Sequence, residues 1–215
     1  MKNVSNLDNM GHYKIPNSGH NRDDEAKKLG MWLFLFTEIL LFGGLFFVYA
    51  IYRFKYFDEF KIIAEHMSIT LGAINTVVLI ASSLTVAMSI TAMKKGKDNV
   101  AVLLIFITIL FAMTFMVNKY FEWSDHIHHG LFMGADAFNN LAKGEGMFLF
   151  LYYFMTGLHG LHIIVGAILL GIVAYKIMNG SVNQDKLVFH ENAGLYWHLV
   201  DLIWIYLFPL FYLLH

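Results

Sequence analysis

The chain has 215 residues, of which 58% are hydrophobic and only 14% charged, a balance that excludes an ordinary soluble domain. A formal net charge of −1 excludes bulk attraction to nucleic acid. The absence of cysteine excludes disulfides, iron–sulfur clusters and thiolate metal sites within the chain.

Residues 1–28 are polar, rich in Asn, Gly and charge, and carry neither an apolar core nor a small-residue cleavage site. They read as a flexible or partner-bound tail and not as a secretory signal. Five apolar runs follow, over about 30–53, 68–93, 99–122, 145–175 and 191–214. Each reaches the ~20 residues a helix needs to cross ~30 Å of hydrocarbon. They are solid runs without period-2 alternation, which excludes a membrane barrel. The predicted fold class is therefore all-α: an integral membrane bundle of five transmembrane helices over 29–215, forming one domain. The two prolines, Pro16 and Pro209, fall before the first run and late in the last, so the helices are expected to be nearly uninterrupted. The longest expected loops are 54–67 and 123–144. Small residues recur at four-residue spacing in Gly72/Thr76, Ser83/Ala87/Thr91 and Thr156/Gly160, faces on which helix backbones can approach closely.

Orientation follows from Lys and Arg. Ten lie on the N-terminal side of the bundle: Lys2, Lys14, Arg22, Lys27, Lys28, Lys94, Lys95, Lys97, Lys176 and Lys186. The opposite side holds five: Arg53, Lys55, Lys61, Lys119 and Lys143. This places the N-terminus in the cytoplasm and the C-terminus outside.

Ionisable groups in the runs are costly and each needs a reason. Glu38 lies about 12 Å into the first run, with no Lys or Arg in the run to pair with short of Arg53 at its far end. It is expected to be protonated near neutral pH. Two readings stand: a neutral carboxyl bonded to another helix, or a proton-exchanging or substrate-pairing group. In the fourth run, "TGLHGLH" puts His159 and His162 three apart on one face. In the fifth, "YWHLVD" does the same for His198 and Asp201. These four residues fit either a metal or haem site or a buried network in which Asp201 accepts from an imidazole. The network is the more ordinary reading, because the Glu-x-x-His pairs of four-helix di-metal sites are absent. Asn118 and Glu122 end the third run, with Glu122 near the boundary where a carboxylate reaches water. The following "SDHIHHG" (Asp125, His126, His128, His129) fits a zinc or copper site or, more ordinarily, a solvated interfacial loop. Trp123 and tyrosines near the ends of the runs read as interfacial anchors. No nucleophile–base pair, phosphate loop or haem-attachment motif is visible.

Five stretches in chain order, one in each run, resemble the subunit III family of haem-copper oxidases, the cytochrome c oxidase subunit 3 family. "GMWLFLFTEILLFGGLFFVYAIY" is similar to the family's helix G-M-x-L-F-x-x-S-E, with Thr37 where serine is usual. "INTVVLIASSLTV", which contains Asn75, resembles L-N-T-x-x-L-L-x-S-S. "KYFEW" resembles the family's acidic helix end. "TGLHGLHIIVG" resembles T-G-F-H-G-x-H-V-x-x-G, and "YWHLVDLIWIYLF" resembles Y-W-H-F-V-D-x-V-W-x-x-L-F. The resemblance covers nearly all of 29–214. Members of mitochondrial type have seven helices, so this chain is similar to the short five-helix bacterial form and cannot by itself form the lipid cleft that the two extra helices line.

The resemblance implies a noncatalytic subunit of a bacterial terminal oxidase in the cytoplasmic membrane. Such a subunit carries no cofactor of its own. Haem and copper lie in neighbouring subunits I and II, and subunit I is the main contact. Its role is to stabilise subunit I and support proton uptake in aerobic respiration. Glu38 corresponds to the family's buried, carbodiimide-reactive carboxylate. Asn75, Glu122, His159, His162, His198 and Asp201 correspond to a structural polar network, with no metal site and no catalytic residue. Other respiratory subunits and membrane lipids are the remaining expected partners. The alternatives are subunit III of a quinol oxidase and the accessory membrane protein of a nitric oxide reductase. A small metal-binding membrane enzyme and a proton-coupled carrier fit less well, the latter because broken helices and repeated halves are absent.

Overall fold

The structure, a computed structural model, describes residues 18–132, 138, 141–180 and 187–213. Residues 1–17 of the expected tail and the expected end of the last span at 214 lie outside the described residues. The chain forms α1 (Ser18–Lys55), α2 (Phe57–Ala64), α3 (Ile69–Lys94), α4 (Asp98–His128), α5 (Lys143–Met178) and α6 (Val188–Tyr212), with no strand among the described residues. All but α2 are long and apolar enough to cross a membrane. They correspond one for one to the five predicted runs.

Three helices stop at glycines with positive φ: Gly96 (67°) after α3, Gly130 (75°) after α4 and Gly180 (65°) after α5. A residue without a Cβ takes this left-handed conformation without steric penalty, so the chain turns sharply there. Ser68 starts α3 by accepting from the Leu71 N–H at 3.4 Å.

Two predicted loops contain helix instead. Within 54–67, α2 buries Phe60, Ile63 and Ala64 on one face and leaves Asp58 and Lys61 outside. An eight-residue helix offers too few turns for a period to register. At the other loop, α4 continues through "SDHIH" to His128 and ends at Gly130. Eleven residues of the expected tail, 18–28, likewise belong to α1.

α3, α4, α5 and α6 close into a ring in which each packs on two neighbours, while α1 lies outside against α5 and α6. Burial patterns reflect this. α4 buries Ala101, Ile105, Thr108, Ala112, Phe115, Lys119, Glu122 and His126, a continuous three-four spacing. Among the described residues of α1 only Leu35, Phe42 and Tyr49, seven residues apart, are fully buried; Met31, Leu45, Phe46 and Tyr52 pack partly against the core, and most of the remaining apolar surface faces outward. In lipid that outward surface carries no penalty, so helix association rests on close packing and hydrogen bonds.

Both kinds of contact fix the antiparallel register of α3 and α6. Ser89 Oγ pairs with His190 Nε2 at 2.9 Å, and the Trp197 Nε1–H donates to Ser82 Oγ at 2.9 Å. Ser83 pairs with His198 Nδ1, and Trp204 Nε1–H donates to Thr76 Oγ1 at 3.0 Å. The Trp197 indole occupies space that Gly166 of α5 leaves open, and Phe208 of α6 does the same at Gly72 of α3. A Cβ on Gly166 would sit 2.8 Å from the Trp197 ring, and one on Gly72 2.8 Å from Phe208. The predicted small face Gly72/Thr76 is therefore a packing face. Ala87 and Thr91 instead point outward, and α3 buries Ser82, Val86 and Ser89.

Candidate functional site

Among the described residues, three acids of the apolar runs, Glu38, Glu122 and Asp201, turn toward other helices, and the structure treats them differently. Glu38, on the buried side of α1, meets His162 of α5: Oε2 lies 2.9 Å from Nε2, with 14% and 12% of the two side chains exposed. The acid without a Lys or Arg partner thus has a histidine partner, one that the sequence placed in a separate network. His162 Nδ1 lies 2.7 Å from the Leu158 carbonyl. A carbonyl only accepts, so Nδ1 carries a hydrogen and the remaining proton is shared between Nε2 and Oε2. Phe42 meets the imidazole edge-on at 5.3 Å, and Tyr196 stacks on it at 6.4 Å while donating to the His162 carbonyl at 3.2 Å.

Glu122 does not reach water, contrary to the sequence expectation; it is 2% exposed. Its Oε2 accepts from Lys119 Nζ at 3.0 Å, and its Oε1 accepts from the Tyr152 hydroxyl at 2.8 Å and from Tyr212. Lys119 directs its other donors to Tyr152 (3.1 Å) and Tyr212 (2.7 Å). Every ammonium hydrogen and both carboxylate oxygens are used, the condition under which a buried ion pair holds together. The Tyr152, Trp204 and Tyr212 rings surround the ammonium at 4.9, 5.1 and 5.4 Å. Lys119 is thus a core residue, and not the boundary charge the sequence count assigned to it.

Asp201 is 5% exposed, and its Oδ2 accepts from Ser82 Oγ at 3.5 Å. Oδ1 has no hydrogen-bond partner among the described residues. The expected Asp201–imidazole bond does not form, because His198 turns to Ser83 one helix away. His159 also departs from expectation. Instead of bonding across helices it is fully buried, stacked on Trp204 at 5.2 Å and edge-on to Phe115 at 5.6 Å, with neither ring nitrogen partnered among the described residues. Asn75 accepts from Asn118 Nδ2 at 2.8 Å and so joins α3 to α4. Among the described residues, no three His, Asp or Glu side chains come together as a ligand group. In the "SDHIHHG" stretch, His126 points inward against Tyr152, whereas His128 and His129 are exposed and bond back to the Ser124 and Asp125 carbonyls.

The residues whose buried hydrogen-bonding roles sequence reasoning missed are Lys119, Tyr152, Tyr212, Ser82, Ser83 and Ser89. Lys119 and Glu122 stood three apart in an otherwise apolar run, a spacing that places them on one face. At the end of the bundle where α3 stops and α6 begins, Glu191 of α6 binds Lys94 of α3 at 2.8 Å and Lys28 of α1 at 3.7 Å, joining three helices through one carboxylate.

Such an arrangement defines a multi-span membrane protein whose buried polar groups join its helices to one another. Residues 18–215 match the family model described as cytochrome c oxidase subunit III. A cytochrome c oxidase subunit 3 of Thermostichus vulcanus is 33% identical over 195 residues, 88% of each chain. A probable quinol oxidase subunit 3 of Staphylococcus saprophyticus is 27% identical, over 95% of this chain and 97% of that one. The haem-copper oxidase subunit I+III of Aeropyrum pernix is 30% identical over 189 residues, and there this chain spans only 22% of the relative's length. The chain belongs to the cytochrome c oxidase subunit III family, the third subunits of haem-copper oxidases.

Proposed function

We propose that the chain is the noncatalytic subunit III of a bacterial cytochrome c oxidase, seated on subunit I in the cytoplasmic membrane, with haem and copper held by subunits I and II. The observation that carries this is the nature of the matches. Relatives of nearly the same length are separate third subunits, and a much longer relative is named as subunits I and III together. A region that occurs in one relative joined to subunit I is expected to dock on a separate subunit I here. Inside the chain, the saturated Lys119 cluster and the α3–α6 ladder keep the bundle rigid. Glu38 and His162 place one shared proton at the seam of the outermost helix. In the acid form Glu38 presents the protonated, apolar carboxyl that carbodiimides attack. The support given to proton uptake is assigned to this seam.

A cytoplasmic N-terminus is part of this proposal. With Lys119 enclosed in the core, the cationic excess on the N-terminal side is larger than the bare count. The chain has no cysteine, so single introduced cysteines probed with an impermeant maleimide test this directly: Lys97→Cys should be shielded in intact cells and Lys61→Cys labelled.

An affinity tag on this chain should recover a larger companion with a haem spectrum, and the complex should oxidise reduced cytochrome c. Stoichiometric haem or copper on this chain after dissociation, or its recovery without a companion, would overturn the assignment. The quinol oxidase reading is favoured by one observation, the match over nearly the whole length of the Staphylococcus relative. Turnover with a quinol and none with cytochrome c would select it.

A further inference from the structure

The outer end of α1 and the start of α5 enclose a cleft of about 600 Å³. Its mouth carries two cations, Lys55 and Lys143, both exposed and neither in an ion pair with another described residue. Lys55 is held over the Tyr56 ring at 5.2 Å, and Tyr56 stacks on Tyr52 with the rings 7° from parallel. Below the mouth the wall is apolar: Phe138, Leu141, Met147 and Phe150. Phe150 lies about 10 Å down the helix from Lys143. Its ring is 42% exposed and stacks on that of Phe154, which extends the apolar path towards the middle of the span. No acid is among the described residues lining the cleft. Glu59 has its Oε2 buried, in the space a Cβ on Gly144 would fill, and Glu145 is turned to the Ala142 N–H at 3.1 Å.

We propose that this cleft holds one anionic phospholipid, its phosphate between Lys55 and Lys143 and an acyl chain along Met147, Phe150 and Phe154. Charge selects the occupant. Paired lysines at the ends of two membrane helices, above an apolar channel that opens sideways to the hydrocarbon, match a headgroup joined to a chain. A soluble anion would meet only the mouth. A lipid lodged there touches both α1 and α5, and so holds the outermost helix to the ring. The site lies in the leaflet at the C-terminal end of α1, the outer one if the N-terminus is cytoplasmic. It needs only that the chain spans a membrane, whichever electron donor its complex uses.

The test is native mass spectrometry of the delipidated, detergent-solubilised complex, titrated with phosphatidylglycerol or with phosphatidylcholine. Failure to recover any complex would instead count against the assignment of the chain as an oxidase subunit. The wild type should take up one more phosphatidylglycerol than the K55Q/K143Q double variant, with affinity at this site falling roughly tenfold or more in the variant. K55R/K143R should retain the lipid, and K95Q/K97Q at the opposite end should bind as wild type does. Equal phosphatidylglycerol binding by wild type and K55Q/K143Q would overturn the proposal. So would equal uptake of phosphatidylcholine at the same position, or displacement by millimolar inorganic phosphate, which would mark a free-anion site.

Discussion

The Lys119 cluster and the Glu38 seam each bury a carboxylate beside a cation-forming side chain, yet they are built for opposite ends. Around Glu122, four side chains from three helices use every donor and acceptor, and the pair is enclosed by aromatic rings. Around Glu38, one hydrogen bond joins a two-membered pair between the most peripheral helix and α5, and both members keep more than a tenth of their side-chain surface open. A saturated network has nothing left to exchange and serves rigidity. A single shared proton on a loosely packed helix has few contacts to disturb when it moves. The proposed role in proton uptake rests on the seam for that reason.

The largest effect should come from breaking the saturated site. Lys119→Met leaves Glu122 buried without its cation and should destabilise the chain by about 3–5 kcal/mol. Loss of the subunit from the complex at lower temperature in detergent measures this. Adding Glu122→Gln to that variant should restore much of the loss, because a neutral amide can still accept from Tyr152 and Tyr212. A double variant as unstable as the single one would show that packing, and not the uncompensated charge, dominates. Next in size is Gly166→Ala, whose methyl meets the Trp197 ring and should cost about 1–3 kcal/mol in the same assay. Gly43→Ala on α1, with nothing within 4 Å, is the control and should be neutral or stabilising by up to about 1 kcal/mol. Ser89→Ala removes the partner of His190 and should cost about 1 kcal/mol.

The five spans were legible because hydropathy and length are properties of a segment alone. α2 and the last turns of α4 were not, since one is too short to display a period and the other is too polar to read as membrane helix, although its buried face continues through Glu122 to His126. The polar residues were legible as a set and illegible as pairs. Glu38 and His162 stand 124 residues apart, and only the placement of α1 against α5 brings them together. The His198–Asp201 pairing inferred from spacing failed for the same reason. Residues three apart share a face, but a serine on the facing helix α3 was nearer to the imidazole. Lys119 and Glu122 show the converse. Their spacing was sufficient to pair them, and the assumption that charges at the end of a run lie in water hid it.

The smallest effect on stability should come from the seam, and it is also the most selective. Glu38→Gln preserves volume, and its amide can donate to His162 Nε2, so assembly should stay intact with a loss below about 1 kcal/mol. Carbodiimide labelling of this chain should nevertheless disappear, because Glu122 is engaged by its cation and two tyrosines, and Asp201 lies within the closed ring away from α1. His162→Gln tests the shared proton. Without an imidazole to receive it the proton stays on the carboxyl, so labelling of Glu38 should be maintained or faster. Faster labelling would mean that the wild-type pair rests as carboxylate and imidazolium, whereas an unchanged rate would mean that it rests as acid and neutral imidazole. Persistent full-strength labelling in Glu38→Gln would move the reactive carboxyl to the ring, and Asp201, with one oxygen unpartnered among the described residues, would then be the group to substitute next.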